Sequence, residues 1–170
     1  MRVTRVILAF AALSLSPAVP GAVEGDEAPA WSAVTFDGSD LTFPAAAAGQ
    51  PSIILFWATW CPYCKALMPY LEDIREQYES HGVRVFAINI KEDDDPQAFA
   101  AGHDYEFVYL LNGDDIATRY SVRFTPGLMV VDRNNKIVFR RKSTELPPGR
   151  KVAEYWAEQV TAALDKLITD

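Results

Sequence analysis

Cys61 and Cys64 are the only cysteines in the 170-residue chain, and only two residues separate them. Cysteines at that spacing can serve as a staple, as part of a metal site, or as a redox couple. A staple gains stability from the chain entropy its loop removes, and a ring this small offers only about 2 kcal/mol or less. A zinc site needs four ligands, and the pair supplies two. His81 and His103 lie far apart and lack paired-ligand spacing. Dithiol–disulfide exchange is the chemistry that this spacing serves directly.

Exchange requires a thiolate. A free cysteine with a pKa near 8.5 is only about 3% ionised at pH 7, and lowering that pKa to about 7 ionises roughly half. The elements around the pair can do this. Ser52–Trp57 (SIILFW) is a continuous apolar run that reads as a strand buried on both faces. It leads directly into Ala58-Thr59-Trp60-Cys61. From Cys61 onward Cys64, Leu67, Met68, Leu71, Ile74 and Tyr78 recur at helical spacing, with Pro62 in the first turn, Pro69 inside and Gly82 at the end. Cys61 therefore stands at a helix N-terminus, where unpaired N–H groups and the dipole favour an anion. Cys64 lies one turn further in, where burial favours the neutral thiol. Cys61 is expected to attack and Cys64 to resolve the mixed disulfide.

The rest of the chain alternates. Val83–Ile90 reads as a second strand, Gln97–Gly102 as a helix after the acidic Lys91–Pro96 turn, and Phe107–Leu111 as a short strand. Asp114–Tyr120 reads as a brief helix, Gly127–Val131 and Lys136–Arg140 as a hairpin turning at Asn134-Asn135, and residues 149–168 as a closing amphipathic helix. Residues 23–50 give mixed signals with turns. One α/β domain with a central mixed sheet flanked by helices is expected over residues 23–170.

Composition narrows the function. Acidic residues outnumber basic ones 23 to 16, a formal charge of −7 that suits nucleic acid poorly. The first 22 residues combine Arg2 and Arg5, an apolar run over Val6–Leu15 and small residues near Ala18 and Ala22. This is the pattern of a secretory signal peptide, with an N-terminal anchor as the alternative. Losing Arg2 and Arg5 would take the charge from −7 to −9. A periplasmic or otherwise extracytoplasmic location is expected.

Phe56-Trp57-Ala58-Thr59-Trp60-Cys61-Pro62-Tyr63-Cys64-Lys65 resembles the active site of thioredoxin-like proteins. Ala28-Pro29 ahead of Phe36-Asp37-Gly38, the run Arg119–Pro126, and Val130–Val138 are similar to the exported TlpA/ResA-like branch, and Glu92–Phe107 corresponds to its central insertion. The resemblance covers about Ala28 to Leu164. It implies a thioredoxin-like fold with the branch's N-terminal extension, and a cis Thr125–Pro126 peptide facing the cysteines. It further implies that Thr125 pairs through its backbone with an extended substrate segment. Trp60, Pro62 and Tyr63 are expected to flank the site, and Trp57 to pack in the core.

The chain departs from the pattern at two positions. Leu55 stands where thioredoxins keep a buried aspartate, and Leu67 where ResA-type reductants keep a glutamate. Glu72 and Asp73 are expected on a solvated helix face rather than as substitutes. The implied function is a thiol-disulfide oxidoreductase acting on exported proteins, most readily as a reductant of the cytochrome c maturation kind. It would need no cofactor beyond the Cys61–Cys64 disulfide, work as a monomer and be recycled by a membrane electron donor or acceptor. A dithiol oxidase or isomerase, a non-catalytic thiol- or metal-binding module, and a peroxidase are the alternatives. For the last, Thr59 is the only hint of the required Thr/Ser-x-x-Cys setting.

Overall fold

The computed structural model describes residues 22–142 and 146–169. The expected leader therefore lies, save Ala22, outside the described residues. Ala22 itself is buried, and its carbonyl accepts from an Arg140 Nη at 2.7 Å.

Among the described residues seven strands and four α-helices follow in the order β1 (Trp31–Val34), β2 (Asp40–Phe43), β3 (Ser52–Trp57), α1 (Pro62–Gln77), β4 (Arg84–Asn89), α2 (Pro96–Ala101), β5 (Val108–Leu110), α3 (Asp114–Arg119), β6 (Gly127–Val131), β7 (Ile137–Arg140) and α4 (Val152–Thr169). The main sheet runs β5-β4-β3-β6-β7, with β3, β4 and β5 parallel and β6 and β7 antiparallel to their neighbours. It is the mixed α/β sheet that the alternating pattern predicts. The mixed stretch before Ser52 forms a separate β1–β2 hairpin. Short strands of uneven pattern such as WSAV and DLTF carry little periodic signal, so the hairpin was not foreseen.

Strand β3 is buried along its whole length, as a continuous apolar run requires. Ile53, Leu55 and Trp57 face one side, where α1 and α4 bring Cys64, Leu67, Leu71, Trp156, Val160 and Leu164. Ile54 and Phe56 face the other, against Trp31, Phe43, Ile116 and Tyr120. The central insertion adds a row of rings, Phe99, His103, Tyr105, Phe107 and Tyr109, each within 6 Å of the next. Trp57 touches both ends of that row, with ring centroids 5.3 Å from Phe99 and 5.8 Å from Tyr109. Its expected core role holds, since it is wholly buried.

One expectation is corrected. Asp73 is exposed, but Glu72 is buried at 7% exposure. Its carboxylate accepts from Arg75 Nε at 2.8 Å and from the Glu106 amide at 3.0 Å. An ion pair and a backbone partner make that burial tolerable and tie α1 to the insertion. Glu72 is a strut between elements, not a solvated residue.

Candidate active site

Strand β3 delivers the chain to a tight turn, where the Cys61 amide donates to the Ala58 carbonyl at 3.1 Å. Cys61 is the N-cap residue of α1, in extended backbone, and its sulfur accepts from the Cys64 amide at 3.2 Å. The sulfur thus occupies the place a capping oxygen would take, and a thiolate there would meet unpaired amides and the positive helix end. The two cysteines are joined by a disulfide with Cα atoms 5.3 Å apart. Cys61 is 2% exposed and Cys64 is fully buried. Pro62 sits at the start of α1, and Pro69 lies inside it.

Strand β6 begins immediately after Pro126, with Gly127 opposite Phe56. The Thr125–Pro126 peptide therefore lies at the same sheet end from which Cys61 is presented, and it is cis. Gly127 is required by close packing. A Cβ there would meet Val122 at 2.7 Å, so that something must shift, and the Phe56 ring at a tight 3.1 Å.

Trp60 and Tyr63 are about half exposed, and Phe124 is 79% exposed. These three aromatic side chains stand beside the first cysteine, between the cysteines, and before Thr125. Two are held from behind. The Trp60 indole donates to the Lys91 carbonyl at 2.7 Å. Tyr63 meets Trp156 edge-on at 6.2 Å, and Arg141 lies 4.7 Å over Trp156 while its Nε donates to the Pro126 carbonyl at 2.8 Å.

Leu55 and Leu67 are both fully buried in the cluster that holds the two cysteines. The two positions where the resemblance implies acids are therefore apolar. A carboxylate does stand at the turn that leads into Cys61. Glu92 accepts from the Thr59 hydroxyl at 2.5 Å, the Thr59 amide at 2.9 Å and Asn89 Nδ2 at 2.6 Å. Partial burial would raise its pKa, but the hydrogen bonds from Thr59, Asn89 and the Asp93 amide outweigh that and hold the carboxyl below its ordinary range. Glu92, Arg141, Trp156 and Phe124 were not singled out from sequence as site residues. Glu92 sits in an acidic turn, and only the third dimension brings it to Thr59.

A helix-capping CxxC beside a cis-proline loop on a mixed α/β sheet defines a thiol-disulfide oxidoreductase of the thioredoxin-like class. The AhpC/TSA family description matches residues 24–140, and the chain belongs to that family. It is 31% identical over 121 residues to the thioredoxin-like protein YneN of Bacillus subtilis strain 168, covering 69% of this chain and 70% of that protein. It is 28% identical over 116 residues to the thiol-disulfide oxidoreductase ResA of Bacillus thuringiensis subsp. konkukian strain 97-27, covering 67% of this chain and 66% of that protein. Among solved structures, a putative thiol:disulfide interchange protein DsbE from Chlorobium tepidum superposes with a TM-score of 0.69 at 24% identity, covering 85% of this chain and 99% of that one. The chain thus spans about two thirds of the length of these two curated relatives.

Proposed function

We propose that the protein is exported by residues 1–22 and reduces disulfides of other exported proteins, as a monomer recycled by a membrane electron donor. Cys61 is the nucleophile and Cys64 the resolving thiol. The Cys61 thiolate attacks one sulfur of a substrate disulfide and expels the other as a thiolate, which takes a proton. Cys64, losing its own proton, then attacks Cys61 Sγ and releases the second substrate thiol. Two electrons and two protons pass to the substrate, and the Cys61–Cys64 disulfide remains. Trp60, Pro62, Tyr63, Thr125 and Pro126 form the surface on which the substrate segment lies.

The capping of Cys61 Sγ by the Cys64 amide carries this reading, because it activates the outer sulfur and leaves the inner one buried. Among the described residues no lysine, arginine or histidine hydrogen-bonds to either sulfur. A strongly oxidising pair needs its reduced form strongly stabilised, and here the thiolate's support comes from the Cys64 amide and the helix end, with no cationic side chain hydrogen-bonded to it among the described residues. No helix among the described residues is long and apolar enough to cross a membrane. The Thr59 hydroxyl, the one hint of a peroxidase setting, is committed to Glu92.

The reduction potential of the couple tests the direction. A value near about −250 mV or lower supports the reductant, and one near about −130 mV overturns it in favour of a dithiol oxidase. Cys64→Ala should trap a mixed disulfide on Cys61. Failure to trap any exported protein would favour a thiol-binding module instead.

A further inference from the structure

The segment after β4 touches both halves of the site. The Ile90 amide donates to the Trp57 carbonyl at 2.9 Å, the Lys91 carbonyl accepts from the Trp60 indole, and Lys91 Nζ donates to the Arg123 carbonyl at 2.7 Å. Lys91 adopts a left-handed backbone with φ of +50°, a conformation that non-glycine residues seldom take without compensation. The compensation is visible: Glu92 is turned back to accept three hydrogen bonds from Thr59 and Asn89, both nearly buried. Asp93 and Asp94 donate their amides to the same carboxylate. Five donors on one carboxylate fix both its place and its charge.

That carboxylate is anchored on Thr59, two residues before Cys61, whereas Leu55 and Leu67 pack in the apolar cluster that holds both cysteines. We propose that Glu92 is a positioning residue for the Cys61–Cys64 couple. It pins the Thr59–Trp60 turn, and its fixed negative charge disfavours the Cys61 thiolate, so the reduced pair gives up its electrons more readily. The inference rests on the exchange chemistry proposed above. The charge opposes the helix terminus, which favours the same thiolate, and the balance between them sets the poise of the pair. The other charges around Glu92 are Lys91, Asp93 and Asp94 on its own segment and Asp114 at the start of α3, which accepts from the Lys91 amide. Among the described residues none of these side chains hydrogen-bonds to Thr59.

The test compares wild type, Glu92→Gln, Glu92→Asp and Thr59→Val in two measurements. One is the pH dependence of Cys61 alkylation in a Cys64→Ala background. The other is the equilibrium in which the dithiol and glutathione disulfide give the protein disulfide and two glutathiones. Glu92→Gln should lower the Cys61 pKa by about one unit, a tenfold gain in thiolate at fixed pH below that pKa. The glutathione equilibrium should move tenfold toward the reduced protein at a pH where the thiolate prevails, about 30 mV upward. Glu92→Asp keeps the charge and should return both values most of the way to wild type. Thr59→Val removes one tether but not the charge, and should leave them nearer wild type than Glu92→Gln does.

Equal shifts in Thr59→Val and Glu92→Gln would reduce Glu92 to a tether and overturn the electrostatic role. So would an unchanged or raised Cys61 pKa in Glu92→Gln. Should the glutamine variant not fold, Glu92→Ser, which leaves room for water to bridge Thr59 and Asn89, is held to the same criterion. A wild-type protein that exchanges with neither glutathione nor a protein disulfide would instead refute the proposed function and leave Glu92 without a couple to tune.

Discussion

The two sides of the Cys61–Cys64 disulfide are built from opposite materials. On the helix side Cys64 lies among Leu55, Leu67 and Leu71, all fully buried. On the turn side Thr59, Asn89 and Glu92 form a hydrogen-bonded cluster around one carboxylate. Relatives of the resembled branch are expected to keep an acid near the buried sulfur, whereas this chain keeps its acid behind the outer one. The contrast separates two tasks a single carboxylate can perform. An acid beside the buried thiol can carry its proton, while an acid behind the outer sulfur tunes how readily that sulfur ionises. In this chain proton traffic at Cys64 must use another route, and tuning at Cys61 has a dedicated group.

Giving the apolar side an acid breaks the contrast most severely. Leu67→Glu buries a carboxyl with no partner in sight, and at pH 8 should cost about 3 kcal/mol or more in urea unfolding. The pH dependence identifies the cause. A buried carboxyl has its folded pKa raised above the unfolded value near 4.3, so the protonated form suits the folded state. The variant's deficit relative to Leu67→Gln is therefore absent at acid pH, opens as pH rises past about 4.3 and is complete above the raised folded pKa. An equal deficit at pH 4 and pH 8 would mean that the position is wetter than the Leu55–Leu67 cluster implies.

Weakening the polar side should cost less. Thr59→Val preserves shape but removes the hydroxyl donor, leaving Glu92 one short bond poorer, and a loss of about 1–2 kcal/mol is expected. The acid limb should respond too. Because the folded Glu92 pKa is depressed, its contribution is present above the unfolded pKa and is lost as pH falls through the lower folded value. Thr59→Val should carry part of that acid-labile stability away, and Glu92→Gln nearly all of it. Stability profiles from pH 3 to pH 7 that superpose across the three proteins would contradict the cluster's role.

The same contrast marks where sequence reasoning reaches. The helix side is legible because it is periodic: Cys64, Leu67, Met68 and Leu71 recur at the helical repeat, and the short continuous apolar run Ser52–Trp57 reads as an interior strand. The turn side is not periodic. Glu92 reaches Thr59 across 33 residues through the parallel pairing of β3 and β4, and nothing local separates it from the neighbouring Asp93, Asp94 and Asp95. Glu72 misled for a related reason, since its pairing with Arg75 is local while its burial depends on Glu106, 34 residues away. The β1–β2 hairpin escaped because four-residue strands give too short a pattern. Trp60 and Tyr63 are legible as neighbours of the cysteines because the CxxC motif lies at a turn between two strong elements, and both are about half exposed.

Phe124 supplies the smallest expected effect on stability and the sharpest on docking. Its side chain is 79% exposed, far more than Trp60 or Tyr63, and among the described residues it has neither an aromatic partner like that of Tyr63 nor a hydrogen bond like that of the Trp60 indole. Truncating such a residue removes little that folding had gained, so Phe124→Ala should leave stability within about 0.5 kcal/mol of wild type. A large exposed ring beside the Thr125–Pro126 peptide has a different use if a substrate segment lies there, because burying it on binding returns apolar area to a dry contact. KM for reduction of a protein disulfide should then rise several-fold. The rate with a small disulfide such as glutathione disulfide, which brings no extended protein segment to the Thr125–Pro126 loop, should stay within about twofold. Equal losses with both substrates would show that Phe124 shapes the loop rather than the docking surface. Unchanged kinetics with both would confine docking to the ordered rings, Trp60 and Tyr63, on the cysteine side of the groove.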